Sequence, residues 1–293
     1  MICASSHLDR ESSGTIFTVN AWRHDALEVP HTYSQLRFWR HTSVADLSSG
    51  ERRVMKPGLL GHEWDEDLDN GHRPGGLVRL SETTVNNVWM IQDYGANYDS
   101  GTATHHLVIY RSVSGSLVFG AGTVQWSWGL DPVHDTETGI PPDKASPTNI
   151  RVGVDQMGAE PDIQQATLNL FCDMGVMPGV VSLGPGLVRP EQSTDHTPPV
   201  VTSVDLSSDV ILVSAGDDDG LVAAVEFMIS GDGVWHPAES TTDPSIWRIP
   251  IIVTRVSESL GYNFKHGDNN ITVRAVDDSY NIGDVLETTV NIQ

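Results

Sequence analysis

Leu117-Val118-Phe119-Gly120-Ala121-Gly122-Thr123-Val124-Gln125-Trp126-Ser127-Trp128-Gly129-Leu130 reads as a short buried strand, a glycine-rich turn and the start of a helix. Strand, tight turn and helix together form the repeating unit of an α/β domain, in which functional groups collect at the carboxyl ends of the strands. Just upstream, His106–Tyr110 reads as another strand. Downstream, Ile163, Ala166, Thr167, Leu170, Phe171 and Met174 recur at helical spacing, with Pro161 placed to open that helix and Gly175 to close it. The stretch between, residues 131–159, is a long loop containing several prolines, either an active-site flap or an irregular excursion.

Pro178, Gly179, Gly184-Pro185-Gly186, Pro190 and Pro198-Pro199 then interrupt every periodic pattern, which marks a linker. Beyond it, apolar segments at Val200–Val204, Val210–Val213, Val222–Ile229, Ile246–Val253, Ile271–Val276 and Val285–Ile292 are separated by Asp, Gly, Asn and Ser turns. That spacing predicts an all-β, immunoglobulin-like sandwich. With only Cys3 and Cys172 in the chain, it has no inter-sheet disulfide. The predicted organisation is an α/β domain over 14–178, a linker over 179–197 and the sandwich over 198–293.

Across 293 residues, 39 acidic side chains against 17 basic ones give a net charge of −22, which disfavours nucleic acid as a partner. No run reaches the ~20 apolar residues of a membrane-spanning helix, so no membrane partner is expected. The first residues lack the charged-then-apolar order of a signal peptide.

Several strings carry a resemblance: Thr15 to Asn20, Leu36-Arg37-Phe38-Trp39-Arg40, Gly61-His62-Glu63-Trp64-Asp65-Glu66-Asp67-Leu68-Asp69-Asn70-Gly71, Gln92-Asp93-Tyr94-Gly95, Thr102 to His106, Leu117 to Asp131 and Gln164 to Val176. Over roughly Gly14–Pro178 the chain resembles the C-terminal domain of the N,N-dimethylformamidase large (beta) subunit. The resemblance implies a glutamine-amidotransferase-like α/β fold, entered late, so that this domain is expected to be incomplete at its N-terminus. It also implies a metal-dependent hydrolase of small amides, whose iron is held by two tyrosines and a glutamate. Only the glutamate finds a counterpart here, Glu63. Relatives of this kind sit beside immunoglobulin-like modules in large bacterial proteins, which implies an extracellular setting with further domains or subunits as partners. Pro198–Gln293 resembles such a module.

The densest chemistry lies in His62, Glu63, Asp65, Glu66, Asp67 and Asp69. Asp65, Asp67 and Asp69, followed by Asn70 and Gly71, imitate the first half of a calcium loop, but the turn glycine falls one place late and Gly76 stands where a bidentate glutamate belongs. Three readings stand: a calcium site on these carboxylates, a transition-metal site built on Glu63 with histidine, or a solvated acidic turn that caps its neighbours. The last leads. His105 and His106 precede a strand and face opposite sides, so one of them at most joins a site. In the sandwich, Asp217-Asp218-Asp219-Gly220 and Asp277-Asp278 sit in turns that could meet at one end and bind calcium, although Asp and Gly favour turns for backbone reasons alone.

Two functions emerge from these residues. In one, Glu63 is a metal ligand or base, and His62 or His106 assists attack of water on a small amide. In the other, the chain is a non-catalytic binding or architectural module of a larger extracellular protein.

Overall fold

A computed structural model describes residues 13–92, 95–131, 158–177, 184–251, 262 and 264–293. Most of residues 131–159 therefore lie outside the described residues. The first part contains β1 (Ile16–Pro30), β2 (Arg52–Glu66), β3 (Val78–Arg79), β4 (Thr83–Gln92), β5 (Asn97–His105), β6 (Val108–Arg111), β7 (Leu117–Gly120) and then α1 (Pro161–Asp173).

Strands β1 and β2 pair antiparallel along their length, with register shifts near Phe17, Asn20, Asp25 and Ala26. Strands β4 and β5 form a second antiparallel pair. Contacts at Glu66↔His105 and Val19↔Met90 join the two pairs into a closed barrel in the order β1-β2-β5-β4. Bulges of this kind sharpen the twist that a four-stranded closure requires, and closure removes exposed edges. Strands β3, β6 and β7 make a small sheet alongside.

These pairings correct the α/β, amidotransferase-like expectation. Every pairing among the described strands is antiparallel, and α1 is the one complete α-helix among the described residues. The apolar run at Leu117 does form a strand, but it folds back on β6 through the Ser112–Ser116 turn. The glycine-rich segment then runs along β2: the Asp65 amide donates to the Gly122 carbonyl at 2.8 Å and Trp64 bridges Thr123. In place of the expected helix, Trp126–Gly129 forms a single 3-10 turn.

Helix α1 starts at Pro161 and buries Ile163, Ala166, Thr167 and Leu170, while Phe171 and Met174 face outward. Gly175, at φ +80°, takes the left-handed conformation that ends it. Asn169 fixes the helix to the preceding layer by donating to the carbonyls of Phe38 and Arg40 at 2.9 and 2.7 Å.

The second part comprises β8 (Val200–Ser207), β9 (Val210–Gly216), β10 (Val222–Ile229), β11 (His236–Pro237), β12 (Glu239–Ser240), β13 (Ile246–Pro250), β14 (Gly267–Asp277) and β15 (Leu286–Ile292). Sheet β11-β10-β14-β15 faces sheet β12-β13-β9-β8 across a core that includes Ile211, Val213, Phe227, Ile249 and Val273. This is a β-sandwich. The larger core, around Trp39, Trp64 and Leu107, also takes in Ala223, Val276 and Tyr280 from the sandwich end, so the two parts share buried apolar surface.

Candidate functional site

The acidic run closes β2 and enters the loop toward β3. Asp65 accepts a hydrogen bond from the Thr15 hydroxyl at 2.7 Å. Asp67, fully buried, is gripped by two guanidinium groups, Arg73 at 3.1 Å and Arg79 at 2.8 Å. Arg73 is itself 2% exposed and reaches toward Glu226 of β10 at 3.9 Å. Glu226 accepts the Gly76 amide with both oxygens at 3.0 Å and pairs with Arg274 of β14. Arg274 lies over the Trp235 ring, 3.9 Å from its centre. The approach depends on Gly75 and Gly76: a Cβ on Gly75 would stand 2.6 Å from Arg274 Nη2, and Gly76 takes φ +76°.

Asp69 continues the connection. His236 of β11 sits between Asp69 at 2.7 Å and Asp232 at 3.1 Å. Burial pulls the His236 pKa down, but hydrogen bonds and charge from Asp69 and Asp232 outweigh it and raise the value above that of a free histidine. A raised folded-state pKa stabilises the protein fully below the unfolded-state value, and that contribution is lost as pH rises through the folded-state value. The contribution of His236 is therefore lost from mildly acidic pH toward alkaline pH, so the stability gap between the wild type and Asp69→Asn should narrow as pH rises. Thermal unfolding of both proteins across this range checks the prediction; identical profiles would rule out His236 as the titrating group.

The other residues of the run are placed as follows. Among the described residues, Glu63, Asp65, Asp67 and Asp69 do not form a group of three or more ligands within reach of one ion. Both oxygens of Asp67 pair with Arg73 and Arg79, and Asp69 pairs with His236 through Oδ2. Glu63 is half-buried in the barrel wall opposite Asn20, and its carbonyl accepts the Val124 amide. His62 lies in β2 as well, and its side chain is outside the described residues. His106 is buried 3.8 Å from Glu82, where burial and then the Arg79 charge lower its pKa and favour the neutral ring.

Two further buried groups meet where β2 joins β5. His105 donates from Nε2 to the Ala121 carbonyl at 2.9 Å, and burial pushes its pKa down to about 3, so it is neutral. Glu66 accepts the Thr104 amide at 2.5 Å, and burial raises its pKa against that bond. A separate polar cavity of about 220 Å3 lies between the two parts of the chain, lined by Arg37, Arg111, Asp173, Gln192, Asp195 and Asn281 among others. Near its Asp195 side is the one group, among the described residues, whose acidic oxygens come close enough to share an ion: Asp195, Asp217 and Asp277.

Sequence reasoning missed Arg73, Arg79, Glu226, Arg274 and His236 as a set. The local signal was Arg73-Pro74-Gly75-Gly76, a turn whose paired glycines permit close approach of another segment.

Residues 6–139 match the family model described as N,N-dimethylformamidase beta subunit-like, C-terminal. None of the curated proteins compared with the chain matches it. Among solved structures, one described as Clostridium thermocellum CbhA fibronectin(III)-like modules aligns at 11% identity, covering 74% of this chain and 78% of that one, with a TM-score of 0.25. So low a score leaves the fold assignment to the strand pairings themselves.

Proposed function

We propose that the chain is a non-catalytic architectural module of an N,N-dimethylformamidase-like protein, holding a barrel and a sandwich in fixed relation within a larger extracellular assembly. The fate of the acidic run supports this reading: Asp67 and Asp69, carboxylates well suited to a metal or a general base, are held by Arg73, Arg79 and His236. A carboxylate paired with two guanidinium groups is stabilised as a counter-ion, with its lone pairs directed away from substrate. Hydrolysis of an amide needs activated water, a base and stabilisation of the developing oxyanion together.

The expected result is that purified chain neither retains stoichiometric iron nor hydrolyses formamide or N,N-dimethylformamide. Metal analysis and an amine-release assay test it. Bound iron together with turnover that vanishes in Glu63→Ala would overturn the proposal and favour the small-amide hydrolase, with Glu63 as ligand.

A further inference from the structure

Three segments distant in sequence bring carboxylates to one end of the sandwich: Asp195 before β8, Asp217 after β9, and Asp277 with Asp278 at the end of β14. One oxygen from each of Asp195, Asp217 and Asp277 lies within 4.8 Å of the others. Proximity alone would describe an acidic turn, but the orientation of the oxygens adds an independent observation. Asp195 Oδ2 and Asp217 Oδ2 are both shut off from solvent and have no hydrogen-bond partner. Both point at the same small space: a Cβ placed on Gly220 would lie 3.0 Å from Asp195 Oδ2, 3.1 Å from Asp217 Oδ2 and 3.2 Å from Asp278 Oδ1.

The remaining oxygens are accounted for. Asp195 Oδ1 accepts the Thr197 amide, Asp217 Oδ1 the Asp219 amide and Asp278 Oδ2 the Arg37 amide. Asp277, fully buried, is oriented by the amides of Ser279 and Asn281 and by the Asn281 side chain. None of the ion pairs among the described residues involves Asp195, Asp217 or Asp277. Desolvated carboxylate oxygens with neither a donor nor a cation are strongly disfavoured. A hard divalent cation satisfies all of them at once, and an all-oxygen set drawn from separate loops suits the flexible geometry of calcium better than the strict octahedron of magnesium.

We propose that Asp195, Asp217 and Asp277, with Asp278 beside them, bind one calcium ion that fastens the segment ahead of β8 to the end of the sandwich. Because Asp278 also receives the Arg37 amide, the ion steadies the seam between the two parts of the chain. This inference is independent of whether the chain hydrolyses amides.

The test is calorimetric titration of calcium chloride into chelator-treated full-length chain, with thermal unfolding in parallel. One calcium per chain and a rise in Tm are expected, with affinity reduced about tenfold or more in Asp217→Asn and in Asp195→Asn, since each removes one charged ligand. These two positions are partly exposed, so the variants should fold; far-ultraviolet circular dichroism confirms it. No binding at millimolar calcium would overturn the proposal. So would an equal response to magnesium, or wild-type affinity retained in the folded Asp195→Asn/Asp217→Asn double variant.

Discussion

Asp67→Ala is expected to destabilise the chain by about 3–5 kcal/mol, the usual scale for breaking a buried ion pair from one side. Asp67 is fully buried and Arg73 is 2% exposed, so removing the carboxylate leaves desolvated positive charge with Arg79 close by. Glu226 offers little compensation, because its oxygens already receive Gly76 and Arg274. The exposed Asp99→Ala serves as a control and should stay within about 0.5 kcal/mol. Urea unfolding followed by tryptophan fluorescence measures both. A loss below about 1 kcal/mol for Asp67→Ala would show that the network contributes little to folding.

Tyr280→Ala should cost a similar amount, about 3–5 kcal/mol, by opening a cavity in the core shared by barrel and sandwich. The ring is 3% exposed and packs within the cluster that contains Trp39 and Trp64. Its backbone adds a second, separable effect, since Tyr280 sits at φ +67°, where a side chain is strained. Tyr280→Gly should therefore be more stable than Tyr280→Ala by about 1 kcal/mol, although both lose the same ring. Equal stabilities would mean that the backbone relaxes in the alanine variant.

The elements legible in the sequence were those whose pattern is uninterrupted. Helix α1 was readable because Ile163, Ala166, Thr167 and Leu170 keep one face over about two turns, and β8 to β10 because their apolar positions alternate between turn residues. Strands β1 and β2 hid themselves. Two of the register shifts between them, at Phe17/Val19 and at Ala26/Glu28, are offset by one residue and reverse which residues face inward, which breaks the alternation along strands of 15 residues. The Leu117 run misled for a different reason: a short apolar strand followed by glycines begins a helix unit and a barrel-side extension equally well, and the difference lies in its pairing with β6 and β2. The surroundings of the acidic run were hidden for a related reason. Asp67 is six residues from Arg73, but its environment is completed by Glu226, far along the chain, and nothing local to the acidic run announces that partner.

The link between Gly76 and Glu226 spans 150 residues, whereas Asp67 and Arg73 are six apart. During folding, the short-range half of the network can close as soon as the β2–β3 loop forms, while the long-range half must wait for the sandwich, because loop-closure entropy delays contacts between distant segments. Arg73 therefore holds its partner Asp67 first and meets Glu226 last. Contacts that close late in this way are expected to govern how fast the finished protein comes apart more than how fast it forms.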